Sequence, residues 1–524
     1  MQDRARGVRM SLGRTYGVGL VGLQGRIVEV EADIGQSLPS FVLLGLPDAS
    51  LNEARDRVKS AAKNAGLPLS RRRITVNLMP ADVPKHGSGF DLAIAVAALS
   101  AGGSLRSPKR SVFLAELGLD SRLRPIRGIL PAVMAAVGAG FTDIAVATEN
   151  VEEASLVPGA RVRGYACLAE VAADFGADPD QLSFPPPVNR GAEDAGTGEE
   201  DAVPLVPDLS DVAGQQEARF AVEVAAAGAH HLLMTGPPGA GKTMLAERLP
   251  GILPDLPDDQ AMEVTAIHSL AWQGKPCRQL MRRPPFESPH HTASTAAVIG
   301  GGAGIPRPGA ASRAHRGVLF LDEAPEYERR VLDGLRQPLE SGELVLHRAA
   351  GTAVYPARFQ LVLAANPCPC GLAAGKGLEC TCTAQQRRRY FSRLSGPLLD
   401  RVDLQLAVQR VSLGDYFGTG TPENTETVGA RVQRARDRQR ERLRPLGCET
   451  NAEVTGALLR DLLRPPVGAT AALDRAMERQ LLTARGYDRV LRVAWTIADL
   501  AGHGAPDADD VGQALAFRRQ GVAA

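Results

Sequence analysis

The sequence predicts an α/β protein in three folded parts, and three observations predict it. Strand and helix periodicities alternate over about 10–175 and again over 208–410. In the second stretch an apolar run enters a glycine-rich loop and leaves directly into a helical pattern, the local signature of a parallel sheet with a phosphate-binding turn. The tail, 425–524, carries only helical periodicity.

The first part opens with "IVEVEADI" (27–34), where Val28, Val30 and Ala32 share one face and Glu29, Glu31 and Asp33 the other, as in a half-buried strand. "SLNEARDRVKSAAKNAG" follows as a helix, with Ser50 and Glu53 in capping-box spacing and Gly66 as its stop. "RITVNLMP" returns to alternation through Ile74, Val76 and Leu78, and "VFLAELGL", "LPAVMAAVGAG" and "DIAVAT" continue the pattern. Residues 176–207 are rich in Pro, Gly, Asp and Glu without an apolar period, and read as a mobile acidic linker. The helical tail begins with "TETVGARVQRARDRQRERL", whose arginines read as a solvated face or as a nucleic-acid contact.

Composition narrows the function classes. The chain has 524 residues, 44% of them hydrophobic and 23% charged, with a net charge of +1, so nucleic-acid binding would need a local patch. Apolar runs such as "LAIAVAALSAGG" fall short of the ~20 residues of a membrane helix. The polar start "MQDRARGVRM" does not resemble a signal peptide, which makes a cytoplasmic location the expectation. Seven cysteines, an odd number, fit reduced thiols rather than a disulfide framework.

"HHLLMTGPPGAGKTMLAERLPGIL" carries the chemistry. Gly236, Pro237, Pro238, Gly239, Ala240, Gly241, Lys242 and Thr243 form the Gly-x4-Gly-Lys-Thr loop between strand and helix. Its glycines let backbone N–H groups turn toward a phosphate, and the helix N-terminus adds its dipole. Lys242 would reach the β- and γ-phosphates of ATP, and the Thr243 hydroxyl would ligate Mg²⁺. "GVLFLDEAPE" supplies a buried strand ending in Asp322 and Glu323, the first to hold Mg²⁺ and the second to polarise the attacking water. An acidic helix cap is the other reading of Asp322. "FQLVLAAN" is a third buried strand, and it ends in Asn366.

These blocks, with "PHHTASTAAVIGGG", "LRQPLESGEL" and "RLSGPLLDRVDL", resemble successive segments of the YifB/ComM family, AAA+ ATPases akin to the magnesium-chelatase motor subunit, from about 12 to 520. The resemblance implies an AAA+ P-loop NTPase core with a parallel sheet and a C-terminal helical lid. It implies a homo-hexamer working on single-stranded or branched DNA, without a membrane partner; ComM members are branch-migration helicases in natural transformation. It makes Asn366 a sensor of the γ-phosphate, Arg401 an arginine finger acting in a neighbour's site, and Arg485 the lid's second sensor, with Arg489 its rival. Gly214 and Gln215 match a segment near the adenine. In "SGELVLHRAAGTAVYPARF" two short strands flank a turn near Arg348–Gly351, and by resemblance Arg348 becomes a pore contact for the DNA backbone. An exposed hairpin without a ligand is the alternative.

His290 and His291, with His268 nearby, read as part of an insertion near the pore. Adjacent strand residues face opposite ways, against joint metal binding. Glu287 stands where the family usually has a basic residue, against a DNA contact there.

"LMPADVPKHGSGFDLAIA" and "RLRPIRGILPAVMAA" resemble the Lon-protease-type (ribosomal-protein-S5-like) α/β domain. Alignment places Gly89 at the nucleophile position, with Ser88 one residue off, and Leu130 at the lysine position. Without nucleophile or base no proteolysis is expected. Lys85 and His86 are expected to be exposed polar residues.

Two rival functions remain open: the ATPase subunit of a metal chelatase acting on a protein partner, and a scaffold using ATP only for assembly. Four cysteines, Cys368, Cys370, Cys380 and Cys382, crowd into "NPCPCGLAAGKGLECTC". Structural Zn²⁺, free thiols, and redox or iron–sulfur chemistry all fit that composition.

Overall fold

The computed structural model describes residues 12–45, 49–81, 85, 87–187, 207–271, 277–302, 306–348, 351–373, 380–411, 414 and 422–519. It is a mixed α/β structure with two main sheets. His86, residues 188–206 of the acidic stretch, the hairpin tip 349–350, and 374–379 between the cysteine pairs lie outside the described residues.

The N-terminal sheet has seven strands. Their order is Phe41–Leu44, Arg73–Met79, Gln24–Gly35, Gly13–Val21, Ser111–Leu114, Asp143–Ala147 and Arg161–Tyr165. The predicted alternation holds: Val28, Val30, Ala32, Ile74, Val76 and Leu78 are buried on one face. On the other, Glu29 and Glu31 pair with Arg14 at 2.5 and 2.7 Å. The helix Asp91–Ala101 is buried along its whole length. Two expectations need correction. The first helix starts at Ala49, so Ser50 lies within its first turn rather than at its cap. Lys85 is buried, not exposed, because its ammonium bonds the carbonyls of Gly45 and Pro80. The start of the supposed linker is also packed: Ser183 N–H donates to Ala65 O at 3.0 Å, and Arg122 to Pro186 O.

The second sheet is parallel throughout, in the order Phe286–Glu287, Val318–Leu321, Gln360–Ala365, Leu232–Thr235 and Leu404–Ala407. Val318–Leu321 and Gln360–Ala365 are buried at every residue, as interior parallel strands covered on both faces must be. Each such aliphatic side chain contributes about 1.5–3 kcal/mol. Parallel register brings three strand ends to one edge: Thr235 lies opposite Ala365, and Leu321 opposite Leu363. Ligands of open α/β sheets bind at that edge.

Helices Thr425–Leu443, Ala471–Glu478, Ala484–Ala501 and Ala508–Arg519 follow. The arginines of Thr425–Leu443 divide: Arg434, Arg438 and Arg440 are exposed, as a solvated face requires, while Arg431, Arg436 and Arg442 turn inward. Arg431 forks onto Glu223 (2.7 and 2.9 Å), Arg436 donates to Ala226 O (2.7 Å), and Arg442 forks onto Asp499 (2.6 and 2.7 Å). They fasten this helix to Gln216–Gly228 and Ala484–Ala501. The two sheets' surroundings also touch. Gly128 N–H donates to Ser269 O at 3.2 Å, and a Cβ on Gly22 would stand 3.0 Å from Val354 O in the hairpin Glu343–Arg348/Gly351–Pro356.

Candidate nucleotide-binding site

The glycine-rich turn forms because Gly239 (φ +75) and Gly241 (φ +86) take left-handed backbone, open to glycine without strain. Gly236 is needed for a different reason. A Cβ there would lie 2.2 Å from Val408 O. The helix Lys242–Ile252 then starts directly from the loop, pointing its free N–H groups and dipole at the enclosed space.

Five predicted residues converge. Lys242 Nζ donates to Gly236 O (2.6 Å), Pro237 O (3.0 Å) and Asn366 Oδ1 (3.1 Å). Burial lowers its pKa, while Asp322 and Glu323 oppose that shift. Thr243 Oγ1 donates to Asp322 Oδ2 at 2.7 Å. Two oxygen donors suited to Mg²⁺ thus meet at one point, and the loop's own carbonyls accept from the Lys242 ammonium where phosphate oxygens would. Glu323 N–H donates to Asp322 Oδ1 at 2.9 Å. Glu323 has φ 50, a left-handed backbone costing a side-chain-bearing residue about 1–3 kcal/mol. Gln215 reaches the same loop, its Nε2 donating to Ala240 O (2.6 Å) and Gln409 O (3.1 Å), beside Gly214 at φ +62.

Arg401 and Arg485 are not part of this group. Arg401 pairs with Glu340 and donates to Pro397 O. Burial lowers its pKa, and so do Arg489, Arg485 and Arg336 nearby. Four guanidiniums therefore gather in a second cluster. Within it Arg489 is already committed, donating to Asp403 Oδ1 (2.5 Å) and to the Arg401 carbonyl (2.9 Å). Arg485 is exposed in the first turn of Ala484–Ala501. Arg348 is exposed at the hairpin end, paired in register with Gly351.

The histidines depart from expectation. His290 and His291 lie in a turn beyond the short strand Phe286–Glu287, with ring centroids 4.2 Å apart rather than on opposite faces. His291 Nδ1 stands 3.2 Å from Glu323 Oε2, so the insertion residue read as a pore element touches the acidic pair. His268 is occupied by Arg313 O at 3.0 Å. Glu287 forks onto Arg313 at 2.7 and 3.0 Å. Sequence reasoning also missed Arg248, which is buried and ties Asp208 O and Asp211 to the helix after the loop, both at 2.8 Å. Its only signal was an arginine on the apolar side of a helical period.

In the N-terminal part, Leu130 is buried in the helix Ile129–Gly138, and Ser88 bonds Glu116 beside Gly89. The cysteine sulfurs converge, at 3.3 Å for Cys368–Cys370, 3.7 Å for Cys368–Cys380 and 3.8 Å for Cys370–Cys380, with Cys382 in the same group. No described helix is long and apolar enough to cross a membrane.

Known proteins share this arrangement of segments. Family models match residues 208–416 (magnesium chelatase, subunit ChlI), 30–150 (subunit ChlI of Mg-chelatase) and 422–518 (magnesium chelatase, subunit ChlI C-terminal). The chain is 51% identical to an uncharacterized protein of Mycobacterium tuberculosis over 98% of this chain and 100% of that protein. It is 40% identical to the competence protein ComM of Haemophilus influenzae, over 97% of this chain and 98% of that one. To YifB of Escherichia coli it is 40% identical over 94% of each chain. The chain therefore belongs to the YifB/ComM family of magnesium-chelatase-like AAA+ ATPases.

Proposed function

We propose that this protein is an ATP-hydrolysing motor that closes into a homo-hexameric ring and remodels single-stranded or branched DNA, in recombination or natural transformation, in the cytoplasm. The observation that carries the reading is a divided site. Lys242, Thr243, Asp322, Glu323 and Asn366 meet at one sheet edge, while Arg401 and Arg485 gather elsewhere. Head-to-tail contacts around a ring would bring one subunit's guanidiniums to its neighbour's phosphates.

In this reading Thr243 and Asp322 would hold Mg²⁺, which when bound would supply charge neutralisation for the phosphates of ATP. Lys242 exchanges its loop carbonyls for phosphate oxygens. Glu323 orients water for in-line attack, and Asn366 reads the γ-phosphate from the next strand. Gln215 and Gly214 border the adenine, and Arg348 meets the DNA backbone from the hairpin.

The parts take the roles that the resemblance implies. Residues 10–175 form a Lon-type module without its Ser/Lys dyad, serving binding or assembly rather than proteolysis. Residues 176–207 link it to the ATPase core 208–410, and 425–524 act as the lid. A second reading, a chelatase-type motor remodelling a protein partner, is favoured by the chelatase family models. Steady-state ATP hydrolysis with and without forked or four-way-junction DNA separates the two. Stimulation by DNA is expected; hydrolysis indifferent to every DNA form would remove the DNA reading.

A further inference from the structure

We propose that Cys368, Cys370, Cys380 and Cys382 bind one zinc ion as a tetrathiolate, and that this ion braces the phosphate loop. The sulfur separations are 3.3, 3.7 and 3.8 Å, and all four ligand atoms lie within 4.8 Å of one another. Four sulfurs at about 2.3 Å from a tetrahedral zinc would stand about 3.8 Å apart. A disulfide would need about 2.05 Å, and all four cysteines are free thiols. The first pair is built for a ligand. Gly371 (φ +77) closes a turn with its N–H on Cys368 O at 2.9 Å, and Ala373 N–H donates to Cys368 Sγ at 3.4 Å. Backbone donors of this kind orient and stabilise a metal-bound thiolate. Soft thiolates select zinc over the oxygen-seeking Mg²⁺ of the neighbouring site.

Binding converts four thiols to thiolates, releases four protons, and leaves a net charge of −2 on the site. The adjoining chain suits that charge. Between Glu379 and Asp400 it holds Arg387, Arg388, Arg389 and Arg393. Cys382 directly precedes Thr383, which caps the helix Ala384–Phe391 through a full capping box. The first pair faces the other way. Cys368 is buried two residues beyond Asn366, and a Cβ on Gly371 would lie 2.7 Å from the Pro238 ring of the phosphate loop. Zinc would therefore fix one turn against Pro238 and Asn366, and start one arginine-rich helix. The coupling to nucleotide rests on the ATP-binding reading of that loop; the zinc site does not.

The test measures metal by mass spectrometry on the purified full chain, then affinity for a fluorescent ADP before and after zinc is released with a thiol-blocking mercurial. One zinc per chain is expected, lost in the C380S/C382S double variant and kept in C448S. Replacement by cobalt should give the visible bands of a tetrahedral tetrathiolate, which needs no variant to fold. Release should weaken ADP binding about 5-fold or more. K242A should keep its zinc while losing nucleotide, so the two readings fail separately. Substoichiometric zinc, or iron with sulfide in its place, would overturn the zinc site. Unchanged ADP affinity after release would overturn the brace.

Discussion

His291 Nδ1 lies 3.2 Å from Glu323 Oε2, so the turn after one edge strand holds the carboxylate assigned to activate water. A carboxylate engaged in this way is not free to orient water. Replacing His291 with Ala should raise DNA-independent ATP hydrolysis several-fold and reduce the further gain from DNA. Steady-state rates with and without DNA check this. A fall in basal rate would instead make His291 part of the working site.

R401A should bind nucleotide normally yet lose turnover by about 10³–10⁵, the range for an arginine finger. Because Arg401 sits apart from its own subunit's phosphate loop, mixing R401A with E323Q should restore part of the rate. Each partner supplies what the other lacks. Titrating one variant into the other and following phosphate release measures it; no recovery at any ratio would speak against action in a neighbouring site.

Arg489 should behave as a strut. Asp403 is buried, and burial alone would raise its pKa; Arg489 and His230 together outweigh that and hold it well below the usual carboxylate range. Removing the guanidinium strands a buried charge, at about 3–5 kcal/mol. R489A should therefore show a large fall in Tm, whereas R485A should leave Tm nearly unchanged and affect turnover. Equal Tm for the two variants would refute the distinction.

Stability should also fall in mild acid through His231. Its pKa is lowered from 6.5 to about 4, chiefly by desolvation, partly opposed by Asp403, and its Nδ1 accepts the Leu361 N–H at 3.0 Å. Between those values the unfolded chain takes up a proton that the native ring does not. Stability is therefore complete above about pH 6.5 and declines toward pH 4, by roughly 1.4 kcal/mol per unit of separation in pKa. Urea midpoints across that range measure the slope, and H231N should flatten it.

The phosphate loop and the acidic pair were legible because each is local: an apolar strand running straight into a polar residue fixes its own sheet edge. Asn366 was legible for the same reason, with the resemblance supplying its partner. Contacts across the fold were not. His291 on Glu323, Gly371 against Pro238, and the forks of Arg431 and Arg442 join segments whose spacing carries no period. Lys85 and, in Thr425–Leu443, Arg431, Arg436 and Arg442 misled through residue type, since charge predicts exposure only where no carbonyl or carboxylate waits inside. The first residues of the acidic stretch misled through composition, being pinned by the Ser183 N–H on Ala65 O and by Arg122 on Pro186 O.

The most direct test of the motor reading follows strand exchange on a labelled four-way junction with wild-type protein and E323Q in parallel. Wild type should convert the junction to its exchanged products only with ATP and Mg²⁺, while E323Q binds ATP and DNA but produces none. Exchange by E323Q at the wild-type rate, or none by wild type under any nucleotide, would contradict the account.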